Sequence, residues 1–206
     1  MTVAAGFVRA ARASDAPGLA HIQVESWRAS LAGLVPDEVV AELSSAEAEG
    51  QFTEHWRAAI TNPPSSRHRV HVAVDPDAEP DGADGAAHGA AGEAGTASMR
   101  PVGFASAGPA TDDDKWPGAD GELYELHVLP RFSADGHSAR LLHAVADTLA
   151  EDGFRTACTW ALSDDEPRLE FLELAGWAPD GVHSNLDMGV KVHVVRLHTM
   201  LSPEPG

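Results

Sequence analysis

Several residue types are scarce in this chain of 206 residues, and each scarcity excludes a class of protein. The one cysteine, Cys158, cannot form an internal disulfide, and its isolation fits a reducing compartment. Only 14 lysines and arginines stand against 32 aspartates and glutamates, which gives a net charge of -18. Such an acidic protein repels nucleic acids and anionic lipids, so we expect neither as a partner.

Membrane, nucleotide and metal signals are missing as well. No apolar run approaches the roughly 18 residues that a membrane span needs, and the N-terminus shows no signal-peptide pattern, so we expect a cytoplasmic protein. Neither Gly-x-Gly-x-x-Gly nor Gly-x-x-x-x-Gly-Lys occurs, which argues against dinucleotide and nucleoside-triphosphate sites. The 11 histidines are scattered without paired metal-binding spacing, so no metal is expected.

The hydrophobic pattern predicts alternating strands and helices. Two-residue alternation or short apolar runs predict strands at 7–10, 69–75, 102–107, 122–129 and 155–162, and two more up to about 201 around a turn at 187–189. Three- and four-residue spacing predicts helices at 14–31, after Pro36, at 45–60, 138–149 and 167–175. This order predicts a mixed α/β fold with a mostly antiparallel sheet and helices on both faces.

The domain organisation is predicted to be simple. A chain of this length with 43% apolar residues can form one core, so residues 1–201 are read as one domain, followed by a tail at 202–206. Residues 76–100 contain no branched aliphatic or aromatic side chain and are read as a flexible loop between two antiparallel strands. A homodimer is compatible with the sequence, which leaves the oligomeric state open.

The most informative segment is residues 122–142, in which an apolar strand runs through a short polar loop into an amphipathic helix. A helix start leaves its first backbone N–H groups unpaired and carries partial positive charge. Because a phosphate satisfies both, this junction is predicted to bind an anion. The alternative reading is a helix start with an acidic first turn that binds nothing.

The same segment resembles the acyl-coenzyme A loop of the GCN5-related N-acetyltransferases. Val128 and Pro130 match the Val-x-Pro that ends the family's strand, and Gly136 matches a loop glycine. Ser133 stands where the family prefers Arg or Gln, and Ser138 stands where it prefers Gly or Ala. The loop is therefore similar to a degenerate form of the family motif.

The resemblance extends over the order of elements from about Phe7 to Leu201. Glu-Ser-Trp-Arg-Ala-Ser at residues 25–30 and Phe171 before Gly176-Trp177 are also similar to a bacterial branch of the family. The resemblance implies a central sheet of about six to seven strands. It also implies acetyl-CoA as co-substrate, without a metal.

The resemblance assigns the co-substrate site by position. The strand residues expected to meet the pantetheine arm are Leu126, His127 and Val128. The loop and helix residues expected to hold the phosphates are Ala134, Asp135, Gly136, His137, Ser138 and Ala139. Because backbone groups do most of this binding, the site tolerates side-chain changes.

Acetyl transfer to an amine needs a base, because a lysine-like amine with a pKa near 10.4 is almost wholly protonated at neutral pH. Glu122 is the candidate, because it lies eleven residues before Ser133, the offset at which the histone-acetylating branch carries its glutamate base. A partly desolvated Glu122 would have a raised pKa suited to this role. The alternative is a solvated carboxylate at a strand end. Strand alternation sends Glu125 to the opposite face.

Two positions depart from the family in a way that bears on activity. Leu172 stands where many relatives place the tyrosine that reprotonates the thiolate, and Asp165 stands where they place an asparagine. The leading hypothesis is an acetyl-CoA-dependent N-acetyltransferase that acts on a primary amine of a small molecule or peptide, by direct transfer in a ternary complex. The acidic surface favours a cationic acceptor. The alternatives are a catalytically impaired ligand-binding or assembly module of the same fold, and a loop that binds another anion.

Overall fold

A computed structural model describes residues 6–76, 78, 100–115 and 120–201 of the chain. The predicted loop at 76–100 lies outside the described residues apart from positions 76, 78 and 100. The predicted tail at 202–206 lies outside them entirely. Within the described ranges, no helix combines the length and apolar character that crossing a bilayer requires.

Seven strands of the described chain form one sheet in the order β1-β2-β3-β4-β5-β7-β6. They are β1 Phe7–Ala10, β2 Arg69–Asp75, β3 Arg100–Pro109, β4 Asp120–Val128, β5 Thr156–Leu162, β6 Ala178–Asp187 and β7 Lys191–Met200. Neighbouring strands pair antiparallel except β4 and β5, which are parallel. The mostly antiparallel sheet and the final hairpin predicted from the sequence are confirmed.

The described ranges contain five α-helices: α1 Ala16–Ser30, α2 Asp37–Leu43, α3 Ala46–Thr61, α4 His137–Glu151 and α5 Glu166–Leu174. Side chains cap two of them, because Ser45 accepts from the Ala48 N–H at the start of α3 and Asp165 accepts from the Arg168 N–H at the start of α5. Between β4 and α4 the chain makes a short 3-10 turn at Pro130–Phe132.

The helices cover both faces of the sheet, as predicted. One cluster joins α1 and α3 to the sheet through Ala16, Leu19, Ile22, Trp56, Val72, Val74 and Phe104, and we call this side the α1 face. The other cluster joins α4 and α5 to the sheet through Leu141, Leu142, Val145, Leu149, Leu172, Leu123 and Leu126, and we call this side the α4 face. The apolar stripe read from the α4 sequence is the stripe that is buried.

A β-bulge interrupts β4 at Tyr124. Ser106 of β3 lies opposite Glu125, but the next residue, Ala107, lies opposite Leu123, so Tyr124 is the extra residue. β4 also leaves β5 at this point, because only residues 120–122 pair with residues 156–158 of β5. β5 stays paired with β7 as far as Leu162. The result is an opening between residues 123–128 of β4 and residues 159–162 of β5, which we call the β4–β5 wedge.

Candidate functional site

The backbone of β4 faces the β4–β5 wedge with groups that β5 does not pair. Thr159 Oγ1 donates to the Leu123 carbonyl at 2.9 Å, and Arg168 Nη1 donates to the Leu126 carbonyl at 3.1 Å. The Leu129 N–H donates to the Val102 carbonyl of β3 at 2.9 Å, so strand alternation turns the N–H and C=O groups of Leu126 and Val128 away from β3 and towards the wedge. Two of the three strand residues predicted for the pantetheine arm therefore offer backbone groups to the wedge, and His127 does not.

The loop after β4 leads into a helix start that no side chain caps. The N-cap residue of α4 is Gly136, which adopts a φ of 74°. The helix start therefore has no capping hydrogen bond from an N-cap side chain. The amides of His137, Ser138 and Ala139 occupy the first turn, where the helix itself provides no acceptors. The Asp135 amide is already bonded to the Phe132 carbonyl at 3.2 Å. Asp135 therefore uses its N–H within the loop, and the six-residue phosphate cradle stays a prediction.

The His137 side chain lies inside the protein and only its amide belongs to the loop. The imidazole is fully buried, with Nε2 3.1 Å from Asp75 Oδ2 and Nδ1 3.2 Å from Arg140 Nη2. Arginine only donates, so Nδ1 accepts and Nε2–H donates to the Asp75 carboxylate. The pair ties the end of β2 to the start of α4. Arg140 Nη2 also donates to the Asp135 carbonyl at 2.8 Å, which holds a cation beside the loop.

Glu122 lies at the closed end of β4, where it forms with Cys158 the last residue pair that β4 shares with β5. The side chain is buried, with 6% exposed, and its Oε2 accepts from both the N–H and the hydroxyl of Thr111 at 2.9 Å. Burial raises the pKa of Glu122 and nearby Asp112 adds to the rise, while the Thr111 bonds oppose it. The pKa direction is the one that a general base requires. The catalytic role of Glu122 stays a prediction.

A pocket of about 540 Å³ opens beside Glu122 on β5, β7 and the segment that follows β3. It is lined by Ala110, Asp112, Asp114, Lys115, Asp120, Arg155, Thr156, Cys158, Asp180, Arg196, His198 and Met200. Arg196 is held there by hydrogen bonds to Asp112, Asp114 and Asp180. Burial, with Glu122 nearby, raises the pKa of the Cys158 thiol to about 12, which keeps it protonated and unreactive at neutral pH.

The bulge corrects one expectation about β4. Strand alternation predicts Glu122 and Glu125 on opposite faces, since they are three residues apart. Leu123 and Leu126 are also three residues apart, yet both pack in the α4-face cluster. The extra residue Tyr124 therefore resets the alternation. As a result, Glu122 and Glu125 both point away from α4.

Glu125 belongs to a hydrogen-bonded group on the α1 face that sequence reasoning missed. Its Oε2 accepts from Gln23 Nε2 at 2.9 Å and from His127 Nε2 at 3.0 Å. The other ring nitrogen of His127 lies 3.0 Å from Ser26 Oγ, within hydrogen-bond distance. Trp56 Nε1 donates to Gln23 Oε1 at 2.8 Å, which sets the orientation of the Gln23 amide. The signal available in the sequence was a carboxylate and an imidazole at Glu-Leu-His, two residues apart on one strand face.

The other three positions that the sequence singled out, Tyr124, Leu172 and Asp165, have structural roles. Tyr124, the chain's only tyrosine, donates its hydroxyl to the Pro109 carbonyl at 2.6 Å, and burial together with Glu122 raises its pKa. Leu172 is fully buried in the α4-face cluster. Asp165 caps α5. No tyrosine hydroxyl is therefore available at the wedge.

Comparison with known proteins agrees with this geometry. No family model matches the chain. A curated protein of Bacillus subtilis, named uncharacterized N-acetyltransferase YuaI, is 27% identical over 192 residues, which cover 92% of this chain and 90% of that protein. A GCN5-related N-acetyltransferase structure from Rhodopseudomonas palustris aligns with a TM-score of 0.64 and 18% identity over 98% of this chain and 99% of that one.

A third relative has been solved with a ligand. The PaiA N-acetyltransferase from Thermoplasma acidophilum, in complex with coenzyme A, aligns with a TM-score of 0.62 and 13% identity over 95% of this chain and 99% of that one. The structural neighbours define the class of fold as that of the acetyltransferases. Together with the curated relative, which is similar over nearly the whole chain, they show that this chain is similar to the GCN5-related N-acetyltransferases and has their fold.

Proposed function

We propose that this protein is an acetyl-CoA-dependent N-acetyltransferase that acetylates a primary amine of a small molecule or peptide. The observation that carries the proposal is the β4–β5 wedge, which leads directly to the uncapped start of α4. The wedge offers strand backbone that no neighbouring strand pairs, and the helix start offers amide donors with partial positive charge. A thioester on a long amide-bearing arm with a diphosphate at its far end fits that combination.

Different residues of the site would bind different parts of the co-substrate. The peptide groups of Leu126 and Val128 would bond the amides of the pantetheine arm as an added strand does. The amides of His137, Ser138 and Ala139 would bind the diphosphate, with Gly136 allowing the close turn before them. Supporting this division, a solved structure of the same fold contains coenzyme A.

Direct transfer requires a base that takes a proton from the amine as its nitrogen attacks the thioester carbonyl. Glu122 is the predicted base, and burial raises its pKa towards the useful range. The pair Glu125 and His127 is a second candidate. It flanks Leu126, whose peptide faces the wedge, whereas Glu122 lies four residues away along the strand, or about 13 Å at 3.3 Å per residue.

The acceptor class follows from charge. The pocket beside Glu122 is lined by four aspartates and three basic residues, and three of the aspartates bond one of those basic residues, Arg196. The whole chain carries a net charge of -18. Both features favour a cationic amine over an anionic acceptor.

A catalytically impaired binding module of the same fold is the alternative. Ser133 and Ser138 replace preferred loop residues, and Leu172 is buried where a hydroxyl would be useful. The enzyme is expected to bind acetyl-CoA and to turn it over. A ligand-binding module of this fold is expected to bind without turnover, and an assembly module is expected not to bind acetyl-CoA, so the titration and the acetylation assay together separate the readings.

The experiment is calorimetric titration with acetyl-CoA, followed by a panel of amines with release of free thiol as the readout. Glu122→Gln and Glu125→Gln are compared with Glu54→Gln, which removes an exposed carboxylate of α3. We expect the variant of the true base to lose at least about tenfold in kcat/KM at neutral pH, since general bases contribute about 10² to 10⁴. The control should keep its rate. Absence of thiol release with every amine, despite acetyl-CoA binding, would favour the binding module.

A further inference from the structure

Arg168 places a guanidinium in the β4–β5 wedge. It lies in the first turn of α5, where its backbone N–H is held by Asp165 Oδ1 at 3.2 Å. Its side chain reaches back to β4, and Nη1 donates to the Leu126 carbonyl at 3.1 Å. That carbonyl is one of the β4 groups that β5 leaves unpaired. A cation therefore lies beside the stretch of strand where the thioester end of the arm is proposed to pair.

The guanidinium keeps donors free for a ligand. It has five N–H groups, and the Leu126 carbonyl is its one hydrogen-bond acceptor among the residues that the structure describes. Within the same part of the chain no carboxylate lies within ion-pair distance of it, although Asp165 and Glu125 are near enough to favour its charged form. Burial lowers the pKa of Arg168, but an arginine side chain stays protonated at any working pH.

No other described side chain of the wedge can serve as a cation or acid for the departing sulfur. The only tyrosine bonds the Pro109 carbonyl, and His127 is bonded to Ser26 and Glu125 on the α1 face. Thr159 is fully buried and donates its hydroxyl to Leu123. Among these described side chains, Arg168 is therefore the one that can donate hydrogen bonds to the departing sulfur as a cation.

We propose that Arg168 is a catalytic residue that binds the sulfur of coenzyme A as it leaves; this inference rests on the proposed acetyltransferase function. The amine nitrogen attacks the thioester carbonyl carbon, and its proton passes to the carboxylate base. The C–S bond then breaks and its electron pair goes to sulfur, which departs as a thiolate. Arg168 stays protonated throughout and donates hydrogen bonds to that thiolate, which lowers the energy of the leaving group.

The test compares coenzyme A with desulfo-coenzyme A, by calorimetry, on the wild type and on Arg168→Met. At a pH above the ordinary thiol pKa of about 8.5, bound coenzyme A presents a thiolate. A charge-assisted hydrogen bond is worth about ten- to a hundredfold in affinity, so the wild type should prefer coenzyme A over desulfo-coenzyme A by about that factor. Arg168→Met should reduce the preference to within about twofold, and its kcat for acetylation should fall about tenfold or more.

Two further variants keep the test decisive. Arg168→Lys retains a cation without the planar fork, so its preference for the thiol should lie between those of the wild type and Arg168→Met. Arg57→Met removes a half-buried arginine of α3 that forms an ion pair with Glu54, away from the wedge, and should keep the wild-type preference. If Arg168→Met does not fold, the ligand preference of Arg168→Lys is compared with that of the wild type instead.

The outcomes separate the two proposals. Equal loss of affinity for both ligands in the Arg168 variants would mean that Arg168 only braces the wedge, which overturns its catalytic role and leaves the acetyltransferase proposal standing. An unchanged preference in those variants would overturn it as well. Failure of the wild type to bind either ligand would overturn the proposed function and this inference with it.

Discussion

Replacing Glu122 by glutamine should make the protein more stable at neutral pH. The carboxylate is buried, and burial raises its pKa because the charged form loses hydration that Thr111 only partly replaces. Nearby Asp112 adds repulsion. Glutamine keeps an oxygen that accepts from the Thr111 N–H and hydroxyl, and it removes the charge. The substitution therefore removes a cost and retains the bonds.

The size and pH range of the effect follow from linkage. A carboxyl group whose folded pKa is raised imposes no penalty at a pH below its unfolded pKa, about 4.3, because it is protonated in both states. As the pH rises through the folded pKa, the folded state loses stability. Glu122→Gln should thus have little effect near pH 4 and a stabilising effect of about 1 kcal/mol near pH 8. For a chain of this length, that corresponds to a rise in Tm of about 2 to 4 °C.

The measurement is thermal unfolding of the wild type and Glu122→Gln, followed by circular dichroism at both pH values. Glu54→Gln removes an exposed carboxylate and should leave the pH dependence of Tm as it is in the wild type. A Tm difference that is equal at both pH values would refute the electrostatic origin. A lower Tm at pH 8 would show that the carboxylate contributes more as an acceptor than its burial costs.

Two other substitutions test the loop and the core. In Gly136→Ala the new Cβ has space, since its nearest neighbour would be Arg140 Nη1 at 3.5 Å. The φ of 74° is nevertheless unfavourable for alanine, so the variant should lose about 1 to 2 kcal/mol in unfolding free energy. It should also bind acetyl-CoA more weakly in calorimetry. Unchanged stability and affinity would show that the loop tolerates a different turn. Leu141→Ala empties a fully buried position under the sheet and should cost about 2 to 5 kcal/mol in urea unfolding. A loss below about 1 kcal/mol would contradict the packing of α4 on β3.

The sequence by itself determined the elements and their order, because helix and strand periodicities are local. The stripe Leu141, Leu142, Val145 and Leu149 predicted α4 and its buried face, and the alternation of three valines predicted β2. Gly136 in the left-handed conformation and the uncapped helix start also follow from a few neighbouring residues. The periodicities and the loop residues led to the family resemblance and to the prediction of a phosphate-binding helix start.

Tertiary structure alone decided which side chains meet at the wedge. The bulge at Tyr124 depends on the register between β3 and β4, and it put Glu125 on the same face as Glu122 against the local alternation. Glu125 bonds Gln23 across 102 residues of sequence, and Arg168 bonds Leu126 across 42. Such contacts depend on strand order and helix packing over the whole sheet, which no local periodicity encodes.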